Sequence, residues 1–121
     1  MRRLLLLAFL LLLPSAAMAF DCTSSSACSS SPCPWSSASS WDNCNGTIPQ
    51  PGDTVTLGNG AGHVMTLDVS ANIVSVFIGT TNTLQCFGPA ARTLTISGNV
   101  GSDFAQGDET SIFKPCNGLQ I

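Results

Sequence analysis

Seven acids, one histidine and four Lys or Arg residues make up the charged and titrating stock of this 121-residue chain, apart from its thiols. Acid–base chemistry on an acidic polysaccharide needs clustered carboxylates, or bound calcium with a basic residue. The candidates are Asp53, Asp68, Asp103, Asp108 and Glu109, with Arg92 or Lys114 as the base. Their spacing argues against that chemistry. Asp53 follows Gly52 in a turn, where its carboxylate should cap backbone amides, and Asp68 ends a strand in a similar position. Asp108-Glu109 is one adjacent pair in the loop 102–110 and reads as a solvated acidic tip, and no D-x-D-x-D-G metal loop occurs. His63, between Gly62 and Val64, has no serine or cysteine beside it. A lone histidine of this kind is ordinarily a surface or hydrogen-bonded structural residue. The sequence therefore assigns no catalytic residue, no metal ligand set and no cofactor, and does not point to an enzyme.

The cysteines carry more information. All six (Cys22, Cys28, Cys33, Cys44, Cys86, Cys116) follow residue 19, and their number is even, which in an oxidising compartment reads as up to three disulfides. Six cysteines allow 15 connectivities, and sequence alone does not choose among them. Proximity suggests that the four in 22–44 pair among themselves and that Cys86 pairs with Cys116. Cys28-x4-Cys33 resembles half of a zinc site, but no second pair with matching spacing follows. Asn45-Gly46-Thr47 is the single N-glycosylation acceptor. Trp35 and Trp41 are the candidate sugar-stacking aromatics, with the alternative that they plug the open end of the fold. Three Thr-x-Thr triplets (Thr54/Thr56, Thr81/Thr83, Thr93/Thr95) lack the regular spacing of an ice-binding face.

These residues sit in a chain with a marked start. Arg2-Arg3 precedes the apolar run Leu4–Leu13, then Pro14-Ser15 and the small-x-small sequence Ala17-Met18-Ala19, the pattern of a secretory leader over residues 1–19. The apolar run is half the length that crosses a bilayer. Without the leader only Arg92 and Lys114 face the seven acids, a formal charge of −5. That excludes nucleic acid as a partner, since phosphate binding requires clustered cations. A secreted, extracellular or cell-surface location without membrane insertion follows as an expectation.

Residues 22–40 hold ten serines and no charge, a composition that cannot order itself by burial. Residues 20–48 are therefore expected to form a disulfide-rich cap or a stalk. From Pro49 the pattern is β. Pro49-Gln50-Pro51-Gly52-Asp53 is a turn, Thr54-Val55-Thr56-Leu57 alternates, and Met65–Asp68, Ile73–Ile78, Leu84–Phe87 and Leu94–Ser97 read as further strands. Val55, Val76 and Ile96 recur about every 20 residues, as the coils of a parallel β-helix would. They are expected to stack in one ladder, with Met65 and Leu84 or Cys86 in another. The predicted fold for 49–121 is thus all-β, a right-handed parallel β-helix-like solenoid of about three coils, with an antiparallel β-sandwich as the alternative.

The stretch Trp41…Pro49-Gln50-Pro51-Gly52-Asp53-Thr54-Val55-Thr56-Leu57…Met65-Thr66-Leu67-Asp68, with Val76-Phe77-Ile78 and Leu94-Thr95-Ile96-Ser97-Gly98, resembles the amino-terminal coils of secreted right-handed parallel β-helix proteins. It is similar to the glycine-rich extracellular module of fibrocystin-like and hyaluronan-binding surface proteins, and to the start of microbial adhesin-like β-helix proteins. Val64 and the Ser/Cys tract depart from that pattern. The resemblance implies an extracellular scaffold and no activity. The function expected is a structural or adhesive module whose partner is an extracellular glycan or protein surface. The alternatives are a carbohydrate-binding module, or the amino-terminal part of a polysaccharide-degrading β-helix enzyme that continues past Ile121. The apolar tail Leu119-Gln120-Ile121 suggests an open solenoid end prone to self-association.

Overall fold

Alternating side chains and frequent turns produce short strands throughout. The computed structural model describes residues 18–58, 62–86 and 92–98, with the backbone of 104–106 and 112–114. The strands are β1 (Asp21–Ser24), β2 (Cys33–Pro34), β3 (Trp41–Asp42), β4 (Thr54–Leu57), β5 (Val64–Leu67), β6 (Ala71–Ile73), β7 (Ser75–Ile78), β8 (Thr83–Cys86), β9 (Leu94–Ile96), β10 (Phe104–Gln106) and β11 (Ile112–Lys114). Two 3-10 turns, Ser26–Ser29 and Ala38–Ser40, are the only helical pieces among the described residues. The fold is all-β.

Among the described residues three sheets form, in the orders β10-β7-β4-β1-β3, β11-β8-β5-β2 and β6-β9. Every pairing is parallel except that of β3, which lies antiparallel on the outer edge of β1. The strands therefore stack in tiers: β1 and β2 first, then β4, β5 and β6, then β7, β8 and β9, then β10 and β11. The serine-rich tract supplies the first tier, with Cys22 against Val55 and Cys33 against Met65.

The register corrects one expectation. Val55 does pair with Val76, and Met65 with Leu84, but Cys86 pairs with Leu67. Ile96 pairs with Ile73 in the third sheet, and the position above Val76 is Phe104. The run Ile73–Ile78 bends at Val74, whose amide bonds to the Asp53 carbonyl, so its two ends enter different sheets. A spacing near 20 holds only between the second and third tiers: Thr54 to Ser75 is 21 residues, Met65 to Leu84 is 19 and Ala71 to Leu94 is 23. From Cys22 to Val55 it is 33, and from Val76 to Phe104 it is 28. Pairing constrains strands alone, so the connecting loops are able to vary in length.

The inward residues Cys22, Val55, Leu57, Met65, Leu67, Ile73, Val76, Ile78, Leu84, Leu94 and Ile96 form one core with Trp35 and Trp41. Their sequence neighbours Thr54, Thr56, Ser75 and Thr95 are only partly covered, and Phe77 is 42% exposed. Two disulfides, Cys22–Cys44 and Cys28–Cys33, staple the first tier. Closing loops of 22 and 5 residues contributes about 3 and about 2 kcal/mol by the chain-entropy relation. Cys86 is also disulfide-bonded. Cys116, its expected partner, lies outside the described residues, as do the tail and residues 1–17 of the expected leader.

The register makes a prediction. Val76→Asp places an unpaired carboxylate in the core and should abolish cooperative folding, whereas Thr95→Asp, between inward Leu94 and Ile96, should cost under about 1 kcal/mol. Thermal unfolding of the two variants followed by circular dichroism checks it, and equal losses would contradict the assigned register.

Candidate functional site

Asp53 is the most deeply buried acid described, at 2% exposure. The turn Gln50–Asp53 is closed by the Asp53 amide donating to the Gln50 carbonyl at 3.0 Å, with Gly52 at φ +103°. The carboxylate then accepts from the Gln50 amide at 2.7 Å and, across 33 residues, from the Phe20 amide at 2.8 Å. It caps backbone groups, as the turn sequence suggested. Cys22, Cys44 and Asp53 converge within 4.8 Å, a grouping that resembles a metal site. The two sulfurs are joined as a cystine, so neither is the thiolate that ligation requires.

A second polar cluster lies where the first sheet turns toward the second. Ser24, at the end of β1, accepts from the Gly58 amide at 2.7 Å and stands 2.8 Å from Nδ1 of His63. The His63 amide donates to Asn82 Oδ1 at 2.8 Å, and Asn82 Nδ2 donates to the Leu57 carbonyl at 3.0 Å. Ser24, His63 and Asn82 are all buried. Gly58, at φ +74°, leaves the space that Asn82 fills, since a Cβ there would overlap the side-chain amide. The Ser24–His63 distance is that of a nucleophile and its base. Burial of both residues and the Gly58 amide on the serine oxygen give the pair a structural task. The cluster joins three tiers through groups that would otherwise be buried and unpaired.

Asp68 lies at an outer corner, where it accepts from the Ser36 amide at 2.9 Å and from the Ser36 hydroxyl at 2.6 Å. Partial burial pushes its carboxyl up. The Ser36 hydroxyl and amide, its own amide and the Arg92 charge together outweigh that and hold the group below the ordinary carboxylate value of 3.8. This too is a bond between the first and second tiers.

Both tryptophans considered for sugar stacking lie in the core. Trp35 is 0% and Trp41 5% exposed. Their rings pack edge to face at 4.7 Å, and the Trp41 indole N–H donates to the Trp35 carbonyl. No ring face is left for a sugar, because a β-rich chain with few large apolar residues needs both to fill its first tier. Asn45 is exposed, at φ 52° in the turn after Cys44, and the Thr47 hydroxyl of the same sequon donates to the Cys44 carbonyl at 2.8 Å. Asp103, Asp108, Glu109 and the Lys114 side chain lie outside the described residues.

Sequence reasoning missed Ser24, Gly58 and Asn82. Ser24 is one of ten serines in 22–40 and nothing local distinguishes it. Asn82 does follow a turn signal, Gly79-Thr80-Thr81, in which Thr81 takes φ 61°.

The geometry defines a strand-rich chain cross-linked by disulfides and tied from tier to tier by buried polar side chains. Among the described residues, no helix is long and apolar enough to cross a membrane. Compared with known proteins, the chain matches no protein-family model, no curated protein and no solved structure.

Two predictions come from these clusters. Gly58→Ala should cost about 3 kcal/mol, from the positive φ and the displaced Asn82 amide. Introduced into Asn82→Ala, the same change should cost only the conformational part, about 1 kcal/mol, so a double-mutant cycle by urea unfolding should be strongly non-additive. Because the folded-state pKa of Asp68 is lowered, its contribution is fully present above the ordinary carboxylate range and is lost as pH falls through the folded value. Between pH 5 and pH 2 the wild type should therefore lose more stability than Asp68→Asn, read as a steeper fall in Tm.

Proposed function

We propose that the chain is a secreted structural or adhesive module without catalysis of its own, built as a right-handed parallel β-helix-like solenoid of about three coils. In this reading residues 1–19 are a removed leader, and residues 20–48 close the amino-terminal end. The observation that carries it is the use made of the polar side chains. Asp53, Asp68, Ser24, His63 and Asn82 are each engaged with a neighbouring tier rather than turned toward a cleft.

The solenoid form is supported by a mismatch between pairing and patterning. Parallel sheets ordinarily have both faces covered by helices and read as continuous apolar runs. Here parallel strands alternate buried and partly exposed residues, as in Thr54–Leu57 and Ser75–Ile78, which suits sheets whose inner faces pack on one another. The two disulfides and the bonded Cys86 fit an oxidising exterior. The outer face of the first sheet, with Thr23, Thr56 and Phe77 in one row and Asp21, Thr54 and Ser75 in the next, offers hydroxyls with one carboxylate and one aromatic.

Beads carrying the oxidised chain 20–121 test the adhesive role. They should be retained under flow on coats of extracellular polysaccharide or matrix protein, and the chain should generate no new reducing ends from those polysaccharides. Depolymerisation would place it among polysaccharide-degrading enzymes, and retention no greater than that of bare beads would remove the adhesive reading.

A further inference from the structure

We propose that the α-ammonium group created by removing the leader is the counter-charge of Asp53, so that processing itself locks the first strand onto the second tier. The proposal rests on the reading of residues 1–19 as a leader cleaved after Ala19.

The problem that motivates it is electrostatic. A carboxylate at 2% exposure is costly unless it is paired, and backbone amides alone supply partial charges. Asp53 bonds to the amides of Phe20 and Gln50. Cys22 Sγ lies 3.8 Å from Oδ2, but as half of a cystine it has no proton to donate. Arg92, the one Lys or Arg side chain among the described residues, lies in the field of Asp68, and His63 bonds to Ser24. Asp21, next to Phe20 in the chain, is exposed and accepts from the Thr54 hydroxyl.

The position of Phe20 answers that problem. Its nitrogen is 2.8 Å from Asp53 Oδ1, already at hydrogen-bonding distance as a neutral amide. Hydrolysis of the Ala19–Phe20 bond by a leader peptidase consumes one water, leaves a carboxylate on Ala19 and gives Phe20 an ammonium group at neutral pH. The new charge would appear at the atom that already faces Oδ1. Phe20 is held there by two further contacts: its carbonyl accepts from the Thr54 amide at 2.9 Å, and its ring packs against the core. On the other side of the bond, Ala19 and Met18 are exposed, Met18 at 76%. The small-x-small cleavage sequence thus ends at a residue boundary where a new amino terminus meets a buried acid. An uncleaved or differently cleaved chain would keep the neutral bond and lack the ion pair.

Two chains released from a fusion by a protease that leaves no extra residue make the test, one beginning at Phe20 and the other at Ala19. In urea unfolding the Phe20 form should have about a tenfold larger folding constant, the difference between a charge-assisted and a neutral hydrogen bond. Asp53→Asn should erase that difference. Should Asp53→Asn fail to fold, acetylating the α-amine of the Phe20 form should bring it to the stability of the Ala19 form. In native protein the Phe20 amine should also react with an N-hydroxysuccinimide ester more slowly than the Ala19 amine. Equal stability of the two forms, or equal labelling, would overturn the ion pair. Amino-terminal sequencing of the exported full-length chain is a separate arm. A start other than Phe20 would refute the cleavage reading, and with it the role of processing, while the paired comparison would still measure the ion pair itself.

Discussion

Parallel strands stacked about 4.8 Å apart leave each chain reversal with amides and carbonyls that can be reached only from the tier above or below. In this chain that requirement selects the residue types at the corners. Leu57 ends its strand with a carbonyl that accepts from both the Gly79 amide and the Asn82 side chain. Gly58 gives up its own side chain so that Asn82 has room, and its amide is taken by Ser24 of the preceding tier. Asp53 performs the same service for the start of β1, and its carbonyl receives Val74 from the tier beyond. The buried polar residues are therefore the vertical ties of the molecule, and the apolar residues fill the space that those ties enclose.

The first tier shows how a segment unsuited to folding is brought into that scheme. Serine-rich chain has too little apolar surface to offset its entropy. Two disulfides reduce the entropy of the unfolded chain, and the tryptophan pair supplies the largest side chains of the core. The edge of β1 is covered by the two residues of β3, and β2 is itself only two residues long. A short or covered edge offers little template for another chain to pair with. The tract that looked separate in composition is joined to the rest by parallel pairing at Cys22 and Cys33.

The same ties bear on function. A serine 2.8 Å from an imidazole suggests catalysis when distance alone is considered, and burial with a backbone donor on the serine oxygen gives the pair a structural task instead. Asp53 and Asp68 likewise stand at separate corners, where each accepts from backbone amides of another tier. On the outer face of the first sheet, Thr23, Thr54, Thr56 and Ser75 lie with the exposed Phe77 and Asp21.

Strand character was legible in the sequence because alternation with period two is a local property, and Val55, Leu57, Val76, Leu94 and Ile96 are all buried as their neighbours implied. The capping role of Asp53 was legible for the same reason, since turn chemistry acts over four residues. Local sequence also placed four cysteines close enough to pair among themselves. Partner choice was a different matter. That Ile96 stacks on Ile73, that Cys22 bonds to Cys44, and that Ser24 meets His63 across 39 residues depend on where loops of unequal length return the chain, and loop length leaves no periodic trace. The tryptophans make the point most directly: aromatic rings bind sugars or fill cores with the same apolar faces, so only the tertiary packing, which covers both, decides which they do.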